Sequence, residues 1–172
     1  LDEKKPEILV ATFTAGTITA LELAIKKGQT KTALNLIDYL NKKNFPALIQ
    51  KNFDYDNPLN WAIRHGRAET ANTLIDLLNE QHPETLKLGN RDGVTPLHDA
   101  ITSGATDIAI KLINILKEKS PDSLVEKNVY DEDPLYLAIK KGQEKVADQL
   151  IDNILTRYPE ALIEKHYYDG LC

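Results

Sequence analysis

Cationic and aromatic side chains recur at set intervals along this chain, and they are the residues best suited to recognise a partner. Lys26-Lys27, Arg64-His65 and Lys140-Lys141 each stand directly before a glycine, and Thr102-Ser103 holds the same place once without charge. Phe53, Tyr55, Arg91, Val129, Tyr130, Tyr167 and Tyr168 fall in the segments between. Trp61, the only tryptophan, and Asp99 occupy one position of a regular pattern, which Leu23 and Leu137 also fill. Aromatic and guanidinium groups are what the energetic centres of protein interfaces favour. The complement of such a surface is an acidic peptide or protein face carrying a few apolar anchors.

Catalytic chemistry finds little support. His65, His82, His98 and His166 have no metal-ligand spacing, and neither HExxH nor CxxC occurs. No glycine-rich phosphate loop is present: seven of the eight glycines fall at helix ends or turns, and Gly16 precedes the first full unit. Cys172, the single cysteine, has no base near it in sequence and is a poor candidate nucleophile. Asp38, Asp76, Asn114 and Asp152 form a polar column that could hold a cation, or could face water or hydrogen-bond to the next unit on the second-helix side, and the latter, non-metal reading is favoured. No catalytic, cofactor-binding or metal-binding residue, and no cofactor, is expected.

The elements that position these side chains are repeats. Gly28, Gly66, Gly104 and Gly142 lie 38 residues apart. The same spacing links Leu21, Leu59, Leu97 and Leu135, then Ala24, Ala62, Ala100 and Ala138, then Ile25, Ile63, Ile101 and Ile139. It also links Ala33, Ala71, Ala109 and Ala147, Leu36, Leu74, Leu112 and Leu150, and the isoleucine following each of these leucines. Leu48, Leu86, Leu124 and Leu162 close the unit. Each unit reads as two helices. The first, spanning Pro58 to His65 in the second copy, starts at a capping residue: Thr19-Ala20, Asn57-Pro58, Thr95-Pro96 or Asp133-Pro134. It stops at the glycine column. The second spans Ala68 to Gln81, with Ala71, Leu74, Ile75 and Leu78 on one face. It ends before His82-Pro83, Ser120-Pro121 or Tyr158-Pro159, where proline and an acid predict one more short helical turn. A finger such as Gly89-Asn90-Arg91-Asp92-Gly93 then leads to the next unit. A hairpin this small cannot bury its apolar face alone, so stability belongs to the stack.

The stretch from Asp92 through Thr95-Pro96-Leu97-His98 and Ala100 to Gly104 resembles the ankyrin signature, and looser copies start at Thr19, Asn57 and Asp133. The resemblance spans Thr17 to Tyr168. It implies an all-α fold, an ankyrin-type α-solenoid of stacked helix–turn–helix repeats with extended loops. It also implies a structural hydrogen bond from His98 to the turn, and a concave groove lined by fingers and first helices. The units depart from the usual ankyrin length by about one further helical turn and the Pro-acidic segment. The expected organisation is a single domain over 1–172: a cap or preceding repeat end at 1–16, repeats at 17–54, 55–92, 93–130 and 131–168, and the start of another at 169–172. The candidate partner-binding residues are Phe53, Tyr55, Trp61, Arg64, His65, Arg91, Asp99, Tyr130, Lys140 and Lys141.

Composition narrows the partner. The net charge is −5, which argues against general nucleic-acid binding. No run of apolar residues is long enough to span a bilayer, so no membrane role is expected. One cysteine fits a reducing, cytoplasmic setting. The absence of methionine reads as processing or as a piece of a longer chain. Lysine outnumbers arginine 17 to 4, and with the divergent repeats this looks similar to interaction modules of secreted bacterial effectors acting in a host cytosol. The expected function is a monomeric protein-interaction module or scaffold and not an enzyme. The alternative is the substrate-recognition segment of a larger enzyme.

Overall fold

The structure, a computed structural model, describes residues 18–52, 56–155 and 157–163. The chain divides into two compact units, Leu1–Thr85 and Leu86–Cys172.

In the first unit, α1 (Ala20–Lys26) and α2 (Thr30–Lys43) form one hairpin, and α4 (Pro58–Arg64) and α5 (Ala68–Gln81) form the next. A four-residue turn of helix, α3 (Pro46–Ile49), follows α2. The first helices α1 and α4 pack together, as do the second helices α2 and α5. In the second unit, α6 (Pro96–Thr102) with α7 (Thr106–Lys119), and α8 (Pro134–Lys140) with α9 (Glu144–Ile154), repeat this arrangement. Among the described residues the structure is helical apart from turns, extended connections and a bridge residue at Ile18.

The sequence columns are the core. Leu59, Ala62, Ile63, Ala71, Leu74 and Ile75 are fully buried, and so are Leu97, Ala100, Ile101, Ala109, Leu112 and Ile113. The second helix read from periodicity, Ala68 to Gln81, is the observed α5. The first helix of that copy ends one residue earlier than expected, because His65 is its C-cap. The short turn after each second helix is 3₁₀ at Pro83–Lys87, Pro121–Leu124 and Pro159–Leu162, while α3 makes the equivalent turn in the first copy. Gly28 shows why the hairpin corner takes glycine. Its φ is +69°, and a Cβ there would meet the Arg67 guanidinium at 3.0 Å.

The fingers have a device that the repeat search did not isolate. Asn52, Asn90 and Asn128 stand at the same position of successive units. Each side-chain oxygen accepts the backbone N–H four residues on, from Asp56 (3.1 Å), Val94 (3.0 Å) and Glu132 (3.1 Å). Each backbone N–H returns a bond to the carbonyl of that same residue. An asparagine side chain thereby closes each finger upon itself. In the second unit, Val129 N–H also donates to Asp92 O at 2.9 Å, tying one finger to the next.

Candidate functional site

The first helices present the basic pairs on their exposed ends, as the order of residues before each glycine requires. Lys26, Lys27, Arg64, Thr102, Ser103, Lys140 and Lys141 are exposed, and His65 is half-buried. The structure adds contacts that the sequence could not display.

In the first unit, Lys26 Nζ lies 5.9 Å from the centroid of the Trp61 ring, across from α1 to α4. His65, one helical turn beyond Trp61, stacks on the indole with centroids 5.1 Å apart and planes 6° apart. Its Nδ1 lies 3.0 Å from Trp61 O, so Nδ1–H donates there. Trp61 is half-buried, and its Nε1–H has no acceptor among the described residues. An ammonium, an indole and an imidazole therefore sit in layers, with one donor left over. Arg64 is committed elsewhere: its guanidinium grips the buried Asp56 carboxylate through both nitrogens, with Nη2 to Oδ1 at 2.8 Å.

The second unit repeats that clasp. Lys140 Nζ donates to Glu132 at 2.6 Å and lies 5.4 Å from the Tyr136 ring centroid. Partial burial pushes the Glu132 carboxyl up, but the bonds from Lys140 and Asn128 and the Lys140 charge outweigh it, leaving it below the usual range. Both clasps join an acid at a finger's end to a base eight residues later at the helix end, in the second and fourth copies. That spacing was visible in the sequence and went unread. The first and third copies carry Ile18 with Lys26 and Val94 with Thr102 instead. Val129 and Tyr130 project from the finger at 65% and 63% exposure. Arg91 is also exposed.

Two expectations need restating. Asp99 is only 5% exposed, so it belongs to the packed part of its helix, whereas Trp61 at the same position is half open. Phe53 and Tyr55 lie outside the described residues, as do Tyr167, Tyr168, His166 and Cys172. The polar column Asp38, Asp76, Asn114 and Asp152 is exposed, and Asp38 pairs with Lys42 at 2.7 Å. No group of three His, Cys, Asp or Glu side chains among the described residues could hold a metal ion.

Beneath this surface lies a column of caps. Thr19 and Glu22, Asn57 and Asn60, and Thr95 and His98 each satisfy one another's backbone N–H groups reciprocally. His98 does more. Its Nε2 lies 3.1 Å from Glu132 O, and with Nε2–H donating there, Nδ1 accepts the Thr95 hydroxyl at 2.7 Å. Burial pushes the His98 pKa below its ordinary value, and the imidazole is a structural pin joining α6 to the finger before α8.

Helical hairpins repeated at a 38-residue period, reciprocally capped and joined by fingers, define a helical-repeat protein with no catalytic constellation among its described residues. The family model described as ankyrin repeats (3 copies) matches residues 42–123 and again 75–158, more than half of the chain, and the chain belongs to the ankyrin repeat family. None of the curated proteins matches it. Ankyrin repeats are in general protein–protein interaction modules and are typically non-catalytic. No helix among the described residues is long and apolar enough to cross a membrane.

Proposed function

We propose that this chain is a protein-binding module that takes an acidic, partly apolar protein or peptide face along the first-helix edges and fingers of its repeats. One observation carries the reading: the layered Lys26, Trp61 and His65 in the first unit, a cation and two rings together at one helix edge. The Lys26 ammonium and the open part of the indole are what an incoming carboxylate with an apolar neighbour would meet; the indole N–H itself is buried. Lys27 and Lys141 flank the site in the first unit and its counterpart in the second, and both are exposed. Arg64 and Lys140 shape the edge through their clasps, with Asp56 and Glu132 absorbing part of their charge. Tyr130 and Arg91 extend it onto the fingers, joined on sequence grounds by Phe53 and Tyr55; Asp99, buried, is left out.

The four repeats act as one binding domain and the protein works as a monomer, in a reducing compartment that suits its single cysteine. The test is binding of a glutamate–tyrosine random copolymer to the protein and to the double variant K27E/K141E. Affinity drops about tenfold in the variant and loses part of its salt dependence. Thermal stability changes by no more than about 0.5 kcal/mol, since both side chains are at the surface. Equal affinity for the two proteins would end the reading.

A further inference from the structure

The second-helix side of the second unit carries a cleft of ≈ 410 Å³ where α7 and α9 end. That volume is enough for a ligand of small-metabolite size, whose sites run from about 300 Å³ upward. Lys117 lines it from the last turn of α7, and Arg157 and Tyr158 line it from just beyond α9. Pro121 and Leu124, in the 3₁₀ turn after α7, also border it.

The first unit shows how the protein can satisfy the same positions by itself. Asn41 and Gln81 stand two periods before Lys117 and Arg157, and Gln81 Nε2 donates to Asn41 Oδ1 at 3.0 Å. Phe45 and His82, two periods before Pro121 and Tyr158, pack with ring centroids 4.9 Å apart. In the second unit the amide pair has become an ammonium and a guanidinium, both donors, which repel each other. Neither has an ion-pair partner among the described residues. The ring pair is gone as well, and the Tyr158 hydroxyl donates to Asp122 Oδ1 instead. Two acceptors complete the lining. Glu118 has no partner among the described residues, and Asn153, whose Nδ2 donates to Gln149 O at 2.6 Å, keeps its Oδ1 as an acceptor.

A phosphate dianion answers both cations at once, the guanidinium in its fork and the ammonium as a point charge. Hydroxyl groups answer the carboxylate and the amide oxygen, which accept and do not donate. Glu118 also repels a bare anion, so a phosphate that brings hydroxyls gains more here than a free one. We infer that this cleft is a binding site for a phosphorylated sugar or polyol, with its phosphate on Lys117 and Arg157 and its hydroxyls on Glu118 and Asn153. The site shares no residue with the partner-binding edge, which lies on the first helices and fingers.

The test is titration of the isotope-labelled 172-residue protein with glucose-6-phosphate, glycerol-3-phosphate, glucose and inorganic phosphate, followed by amide NMR shifts. At least one of the organic phosphates moves the Lys117, Asn153, Arg157 and Tyr158 amides saturably, and it binds about fivefold or more tighter than inorganic phosphate. Glucose moves none of them. Lys117→Asn combined with Arg157→Gln restores the amide pair of the first unit and weakens binding by about tenfold or more. The same double variant shifts Tm by no more than about 2 °C, so lost binding is not lost folding. Glu118→Ala, at an exposed position, removes the advantage over inorganic phosphate. Organic phosphates that leave these amides unmoved at about 10 mM, or that bind the K117N/R157Q protein equally well, would overturn the inference. So would equal affinity for inorganic phosphate, which would reduce the cleft to a counter-ion site.

Discussion

The two units follow one plan but fill one buried position with opposite chemistry. Glu22 in the first unit and His98 in the second sit on the third residue of their helices, 2% and 0% exposed, each closing a reciprocal cap with a threonine. Burial pushes the Glu22 carboxyl above its ordinary pKa, opposed by its bonds with Thr19, and it pushes the His98 imidazole below. The same place in the fold therefore resists a negative charge in one unit and a positive charge in the other. A column of the repeat specifies a hydrogen-bonding job, and several residue types can perform it.

The largest break in the comparison comes from the apolar column. Leu74→Ala and Leu112→Ala each remove a fully buried side chain and cost about 2–5 kcal/mol, measured by denaturant unfolding. Leu36, in the same column, is only half-buried, so Leu36→Ala costs less than either.

Next comes His98→Ala, which removes one of the two bonds to Glu132 O, leaves the Thr95 N–H and hydroxyl without their acceptor, and costs about 2–4 kcal/mol at neutral pH. The sign of the pH dependence follows from the lowered pKa. The unfolded chain takes up a proton near pH 6.5, the folded state only at lower pH, so this contribution is complete above that value and is lost as pH falls below it. His98→Asn, which imitates Asn60, flattens that part of the stability profile; a profile unchanged by the substitution would contradict the assignment.

Glu22→Gln gives the smallest effect and the opposite trend. A raised carboxyl pKa means the fold is favoured by protonation, so stability is lost as pH rises above about 4.5 through the folded value. Glutamine keeps the cap without the charge, so the variant melts higher than the parent at pH 7 and the difference shrinks at low pH. A variant that melts lower at pH 7 would show that the ionised carboxylate is needed.

Much of the fold was legible in the sequence because helix hairpins obey local rules. Capping residues, the glycine column, the prolines and the apolar spacing placed α5 to the residue and foresaw the short turns, since each signal acts within a few residues of its effect. The surface was legible only in part. The stack of Lys26 on Trp61 joins residues of different hairpins, so no spacing within one repeat could show it. The Asp56–Arg64 and Glu132–Lys140 clasps left a regular trace but alternate between copies, which hid them from a search for identical residues. The bonds by which Arg67 and Gln143, at one position of successive repeats, reach back to Ile25 O and Ile101 O were hidden for the same reason, because one role is filled by two side chains. Asp99 was misread because position alone did not distinguish it from Trp61: at one place in the pattern the helix buries a small acid and leaves a large indole half open.

The account of partner binding rests on the edge that holds Trp61, and this side chain is the chain's only tryptophan. Its emission, excited where tyrosine does not absorb, reports that edge alone. Titration with a glutamate–tyrosine copolymer at low salt changes Trp61 emission saturably, and K26E/K27E removes the change while the protein stays folded. Copolymer binding that leaves Trp61 emission untouched, or an emission change indifferent to the charge reversal, would contradict the account.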